Sequence, residues 1–119
     1  MNPNESTTDI NEPNVPQITV GEVKKSLDAK EDAVLLDVRT VGEFSRGKIE
    51  GSINLPVDEV AGKIETVVPD KSTKVYVYCL SGSRSVYVVD AMTELGYTNV
   101  FNVTSGLLAW RSKSFTVSP

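Results

Sequence analysis

Two short runs constrain the fold of this chain more than anything else in it. Ala33-Val34-Leu35-Leu36-Asp37-Val38 is apolar at all but one position, and Val75-Tyr76-Val77-Tyr78 is β-branched or aromatic throughout. Neither alternates polar with apolar residues, so neither reads as a strand with one wet face. Both are too short for a core helix, which leaves strands buried on both faces, the kind found in parallel sheets covered by helices on either side.

The segments between them supply the helices. The tetrad Thr-Val-Gly-Glu occurs at Thr19 to Glu22 and again at Thr40 to Glu43. In each, the threonine can cap a helix while the glutamate three residues on reaches back to the cap amide, so helices are predicted from Val20 and from Val41. The first presents Val20, Val23 and Leu27 on one face, and Gln17-Ile18 before it reads as a short strand. Ser52 to Leu55 reads as a short strand followed by a turn, because Pro56 disfavours helix for the residue before it. Val88, Ala91, Met92 and Leu95 recur at helical spacing, giving a helix from about Ser85 that stops at Gly96. Val100 to Val103 is the last strand, and a short helix spans Leu107 to Arg111. Strands alternating with helices in this way imply an α/β domain with a mainly parallel sheet and right-handed crossovers. Ligands bind such sheets at the carboxyl ends of the strands, where Cys79 directly follows Tyr78.

At 119 residues, 39% hydrophobic and 24% charged, the chain has room for one core without disulfides or metals. That domain is expected over residues 17–119. Residues 1–16 hold three prolines, four asparagines and three acids but no lysine or arginine, and are expected to be a disordered leader. A formal net charge of -4 offers no broad positive field for a phosphate backbone or an anionic bilayer, so neither nucleic acid nor membrane is expected as a partner. One cysteine and no histidine exclude an internal disulfide, a Cys/His zinc site and any imidazole base, and no metal or cofactor is expected. The first residues lack the basic start and apolar run of a signal peptide, and a cytoplasmic location is expected.

The chemistry concentrates in Cys79-Leu80-Ser81-Gly82-Ser83-Arg84, a loop between a buried strand and a helix start. Its small residues let backbone amides turn inward. Those amides, the positive end of the helix dipole and the Arg84 guanidinium all favour a thiolate over a thiol, so no base is needed. A lone cysteine is otherwise often a small buried hydrophobe; the strand, glycine, arginine and helix around Cys79 argue for a nucleophile. The hydroxyls of Ser81 and Ser83 read as turn or cap groups. Asp37, Arg39 and Glu43 read as structural, with Arg39 pairing to Glu43 four residues on, and Trp110 reads as core.

Three segments carry a resemblance to the rhodanese family over residues 17–112. Leu36-Asp37-Val38-Arg39 with Glu43-Phe44, continued by Gly47 to Pro56, resembles its first signature; Cys79 to Ser85 is similar to its active-site loop; and Gly96 to Val100 with Gly106 to Trp110 resembles its closing signature. The resemblance implies a three-layer fold with a five-stranded parallel sheet and helices on both faces. It further implies a sulfurtransferase in which Cys79 takes a sulfane sulfur from a small donor such as thiosulfate, as a persulfide, and passes it to cyanide or to a thiol, including a protein thiol. Leu80, Ser81, Gly82, Ser83 and Ser85 would then cradle the sulfur, and Arg84 would hold an anionic donor or fix the loop through a salt bridge.

Two other readings share these residues: a sulfur-relay or interaction module without turnover, and a Cys/Arg-loop phosphatase or arsenate reductase. Four residues separate Cys79 from Arg84, against five in those related phosphatase loops, and a tighter cradle suits one sulfur atom better than a phosphoryl group. The chain departs from the family pattern at Lys48, where histidine is usual, at Leu80, where many members carry a basic residue, and at Ser105, where glycine is common. Leu80 weakens the expectation of thiosulfate as donor.

Overall fold

The computed structural model describes residues 12–119. Ten elements follow one another: β1 (Gln17–Ile18), α1 (Val20–Asp28), β2 (Ala33–Asp37), α2 (Val41–Ser45), β3 (Ile53–Asn54), α3 (Val57–Val67), β4 (Lys74–Tyr78), α4 (Ser85–Glu94), β5 (Val100–Val103) and α5 (Gly106–Ser112). The five strands form one sheet in the order β1-β5-β4-β2-β3, every pair parallel. The predicted class holds. Among the described residues, no helix is long and apolar enough to cross a membrane.

The apolar runs Ala33 to Val38 and Val75 to Tyr78 supply the interior strands β2 and β4, and their side chains divide between two cores. Leu36, Val75 and Val77 point into one cluster with Val60 and Ile64 of α3 and Val89 and Met92 of α4. Leu35, Tyr76 and Tyr78 point into the other with Val20 and Val23 of α1 and Leu107 and Trp110 of α5. Each strand thus buries both faces, which accounts for the missing polar alternation. Cys79 continues the alternation of Val75 and Val77 into the first cluster.

Both capping boxes form. Thr19 Oγ1 accepts the Glu22 amide at 3.1 Å while Glu22 accepts the Thr19 amide at 3.2 Å, and Thr40 with Glu43 repeats the exchange at 3.2 and 3.0 Å. Each such cap stabilises its helix by about 1 kcal/mol.

Beyond Pro56, where a turn is expected, the chain instead forms the 11-residue helix α3. Proline restricts the residue before it; its own fixed φ, here -52°, is compatible with starting a helix. Asp58 and Glu59 in the first turn complement the helix dipole, and Val60 and Ile64, four apart, are buried.

The expected Arg39 to Glu43 pair does not form. Arg39 lies before the cap of α2, so helical four-residue spacing does not bring it to Glu43. Its guanidinium turns back onto buried Asp37, with Nη2 to Oδ2 at 2.7 Å, and also donates to the Gly47 carbonyl at 2.6 Å. Asn54 adds Nδ2 donations to the Asp37 and Arg39 carbonyls at 3.0 and 2.9 Å. This cluster ties the exit of β2 to the segment leading into β3.

Of the expected leader, residues 1–11 lie outside the described residues. At its end, Val15 is buried in the first core and the Pro16 carbonyl accepts the Asn102 amide at 2.8 Å. Val15 and Pro16, expected in the leader, therefore belong to the ordered domain.

Candidate active site

β4 ends at Tyr78 and α4 begins at Ser85, so the loop Cys79 to Arg84 turns back at the carboxyl edge of the sheet. The turn depends on Gly82, whose φ of +95° favours glycine and whose absent Cβ leaves room for the Ser105 amide, 3.2 Å from where that Cβ would stand. In this conformation the Gly82 amide donates to Cys79 Sγ at 3.1 Å, and Ser85 Oγ lies 3.4 Å from the sulfur.

These contacts shift the thiol toward ionisation. Burial alone would raise its pKa, since Cys79 is 0% exposed. Hydrogen bonds from the Ser85 hydroxyl and from the backbone amides of Ser85, Arg84 and Gly82 outweigh that burial and hold the thiol below its ordinary value. Ionisation of the thiol is thus made easier without histidine.

The loop is clamped from the opposite side by α5. The amide of Leu107 donates to the Cys79 carbonyl, and that of Leu108 to the Leu80 carbonyl, both at 3.0 Å. The approach is so close that a Cβ on Gly106 would stand 2.2 Å from the Cys79 carbonyl oxygen. Ser105, where the family pattern has glycine, adopts the left-handed conformation a glycine would (φ 58°), so the backbone of this wall keeps its course.

The structure gathers the residues singled out from sequence and gives them unequal parts. Gly82 and Ser85 contact the sulfur directly. Ser81 and Ser83 are exposed and their hydroxyls bond one another at 3.1 Å, in keeping with turn groups. Leu80 is half-buried against the core on the α1 and α5 side of the sheet. Arg84 forms a two-pronged ion pair with Glu43, Nη1 to Oε1 at 2.8 Å and Nη2 to Oε2 at 3.0 Å. Glu43, hydrogen-bonded by Arg84, keeps its charge against partial burial and has its pKa lowered to about 2. Trp110 is buried and donates Nε1–H to the Thr116 carbonyl, as a core residue does.

A polar chain behind the sulfur, buried at Ser85 and Asn102 and exposed at Gln17 and Thr104, carries no clear mark in the sequence. Ser85 Oγ donates to Asn102 Oδ1 at 2.5 Å, Asn102 Nδ2 donates to Gln17 Oε1 at 2.9 Å, and Thr104 Oγ1 donates to the same Gln17 oxygen at 2.8 Å. A hydroxyl has one proton. Given to Asn102, it leaves Ser85 as an acceptor for the Cys79 thiol; turned to the sulfur, it supports the thiolate. The one available signal was an asparagine inside the apolar strand Val-Phe-Asn-Val. A cleft of about 300 Å³ opens beside the relay, lined by Gln17, Ser81, Ser83, Asn102 and Thr104, with Glu12 its one charged side chain among the described residues.

An α/β sheet that delivers a cysteine loop to its carboxyl edge, braced by a glycine-led helix, defines a class of cysteine-loop domains. Within it, residues 19–113 match the Rhodanese-like domain family, and the chain belongs to that family. It is 40% identical over 67 residues to the thiosulfate sulfurtransferase PspE of Escherichia coli, covering 56% of this chain and 64% of that protein. It is 29% identical over 104 residues to YrkF of Bacillus subtilis, named a putative sulfur carrier protein, covering 87% of this chain but 55% of the relative. The chain therefore spans less than two thirds of these two relatives. The human single-domain sulfurtransferase TSTD1 superposes with a TM-score of 0.73 at 25% identity, covering 84% of this chain and 98% of that one.

Proposed function

We propose that this chain is a sulfurtransferase that carries sulfane sulfur on Cys79 as a persulfide. The observation that supports it most is the cradle itself, in which the Gly82 amide and the Ser85 hydroxyl converge on one buried sulfur at 3.1 and 3.4 Å. The Cys79 thiolate attacks the outer sulfur of a donor such as thiosulfate. A new S–S bond forms, the donor's S–S bond breaks, and sulfite leaves with the electron pair. The cradle that stabilised the thiolate then stabilises the terminal sulfur of the persulfide anion. A thiolate or cyanide attacks that sulfur and returns Cys79 to its starting state. The chain has one cysteine, so the acceptor comes from outside it. A free thiol used in this way suits a reducing compartment such as the cytoplasm.

The test is turnover. Sulfur released from thiosulfate should reach cyanide or a small thiol catalytically with the wild-type chain and not with Cys79→Ser. Persulfide formation at Cys79 without turnover would support the relay reading instead, which the name of the Bacillus subtilis relative favours. Hydrolysis of a phosphate ester dependent on Cys79 would replace both.

A further inference from the structure

The Cys79 loop contains one cation, Arg84, and its guanidinium is not free, since it interacts first with Glu43 and then with the Cys79 sulfur. Both terminal nitrogens are held by the two carboxylate oxygens of Glu43. Glu43 is itself fixed, because its Oε1 accepts the Thr40 amide and hydroxyl at 3.0 and 3.2 Å. The position next to the cysteine is Leu80, which adds no charge, and among the described residues the cleft beside the loop carries a single charged side chain, the acid Glu12. Among the described residues, the loop and the cleft beside it therefore hold one cation, Arg84, and it is already paired with the carboxylate of Glu43.

We propose that Glu43 sets the charge class of the sulfur donor: by occupying Arg84 it makes the site favour singly charged sulfane donors over dianionic ones. This rests on persulfide chemistry at Cys79. The two donor classes react alike at the sulfur. With thiosulfate, the thiolate forms Cys79–S–S⁻ and expels sulfite; with a thiosulfonate, R–SO2–S⁻, it forms the same persulfide and expels a sulfinate. In both, one S–S bond forms, one breaks, and the leaving group takes the electron pair. They differ in the charge that must approach the site, and like charges in a partly desolvated mouth repel more than in bulk water.

The experiment follows sulfur addition to the intact protein by mass spectrometry over time, with sodium methanethiosulfonate and with thiosulfate, in wild type and Glu43→Gln. Glutamine at the third helical position can still close the capping box, so the variant removes charge while keeping the cap. Wild type should favour methanethiosulfonate. Glu43→Gln should raise the thiosulfate to methanethiosulfonate rate ratio by about fivefold or more, as expected of one charge changed against a dianion. An unchanged or lower ratio overturns the inference while leaving persulfide chemistry standing. If neither donor adds sulfur to either protein, the persulfide reading fails and the inference falls with it. Should the variant not fold, wild type decides: its thiosulfate rate should rise with added salt as repulsion is screened, and a fall would show net attraction and overturn the proposal.

Discussion

Replacing Gly106 by alanine should lift α5 off the cysteine loop. A Cβ at this position would lie 2.2 Å from the Cys79 carbonyl oxygen and 2.9 Å from that of Leu80, closer than real Cβ atoms approach. Those are the oxygens that accept the Leu107 and Leu108 amides at 3.0 Å. The overlap is with backbone on both sides, so no side chain can swing away to relieve it. Losing two hydrogen bonds costs about 1 kcal/mol each, and holding alanine in a left-handed conformation costs about 1 kcal/mol more. The stiffer unfolded chain offsets roughly 0.7 kcal/mol, leaving a net loss of about 2 kcal/mol. For a domain of this size that lowers Tm by about 8 °C. Thermal unfolding followed by circular dichroism measures the loss, and alkylation of Cys79 reports the loosened loop. A fall in Tm under about 3 °C, with Cys79 reactivity unchanged, would refute the clamp.

Three further outcomes follow from the same contacts. Ser85→Ala should move the pH midpoint of Cys79 alkylation by iodoacetamide upward, because the hydroxyl is the leading hydrogen-bond source of the lowered thiol pKa; an unmoved midpoint would assign the shift to the amides alone. Glu43 has a folded pKa of about 2 against an ordinary 4.5, so its contribution to stability is present above 4.5 and lost as pH falls toward 2. Denaturant titrations across that window should show a smaller loss for Glu43→Gln than for wild type, and equal losses would deny the Arg84 pair a role in stability. Ser105→Gly should raise stability by about 0.5 kcal/mol, since glycine relieves the left-handed strain at φ 58° but costs more to order; a fall in Tm would show that the serine side chain supplies a contact of its own.

What could be read from the sequence was local. Thr19 with Glu22 and Thr40 with Glu43 announce two helix starts because both halves of each capping box lie within four residues. Ala33 to Val38 and Val75 to Tyr78 announce buried strands because composition alone rules out a wet face. The misses involve direction or distance. Pro56 restricts Leu55, but its own φ also suits a helix start, and Val57, Val60 and Ile64 repeat at helical spacing through α3. Four-residue spacing brings Arg39 to Glu43 only inside a helix, and Arg39 precedes one. The partner that Glu43 does have, Arg84, is 41 residues away, and the Ser85 to Asn102 bond crosses 17. Such pairs follow from the strand order β1-β5-β4-β2-β3, which places β4 between β5 and β2 and so brings the loop against both α2 and the Asn102 strand.

The most direct test of persulfide chemistry at Cys79 is the intact mass of the protein after incubation with a sulfane donor and removal of excess reagent. Wild type should gain the mass of one sulfur atom, lose it on addition of cyanide or a thiol, and Cys79→Ser should gain none. A wild-type chain that stays unmodified with thiosulfate, methanethiosulfonate and a small persulfide alike, or a Cys79→Ser chain that takes up sulfur as readily, would contradict it.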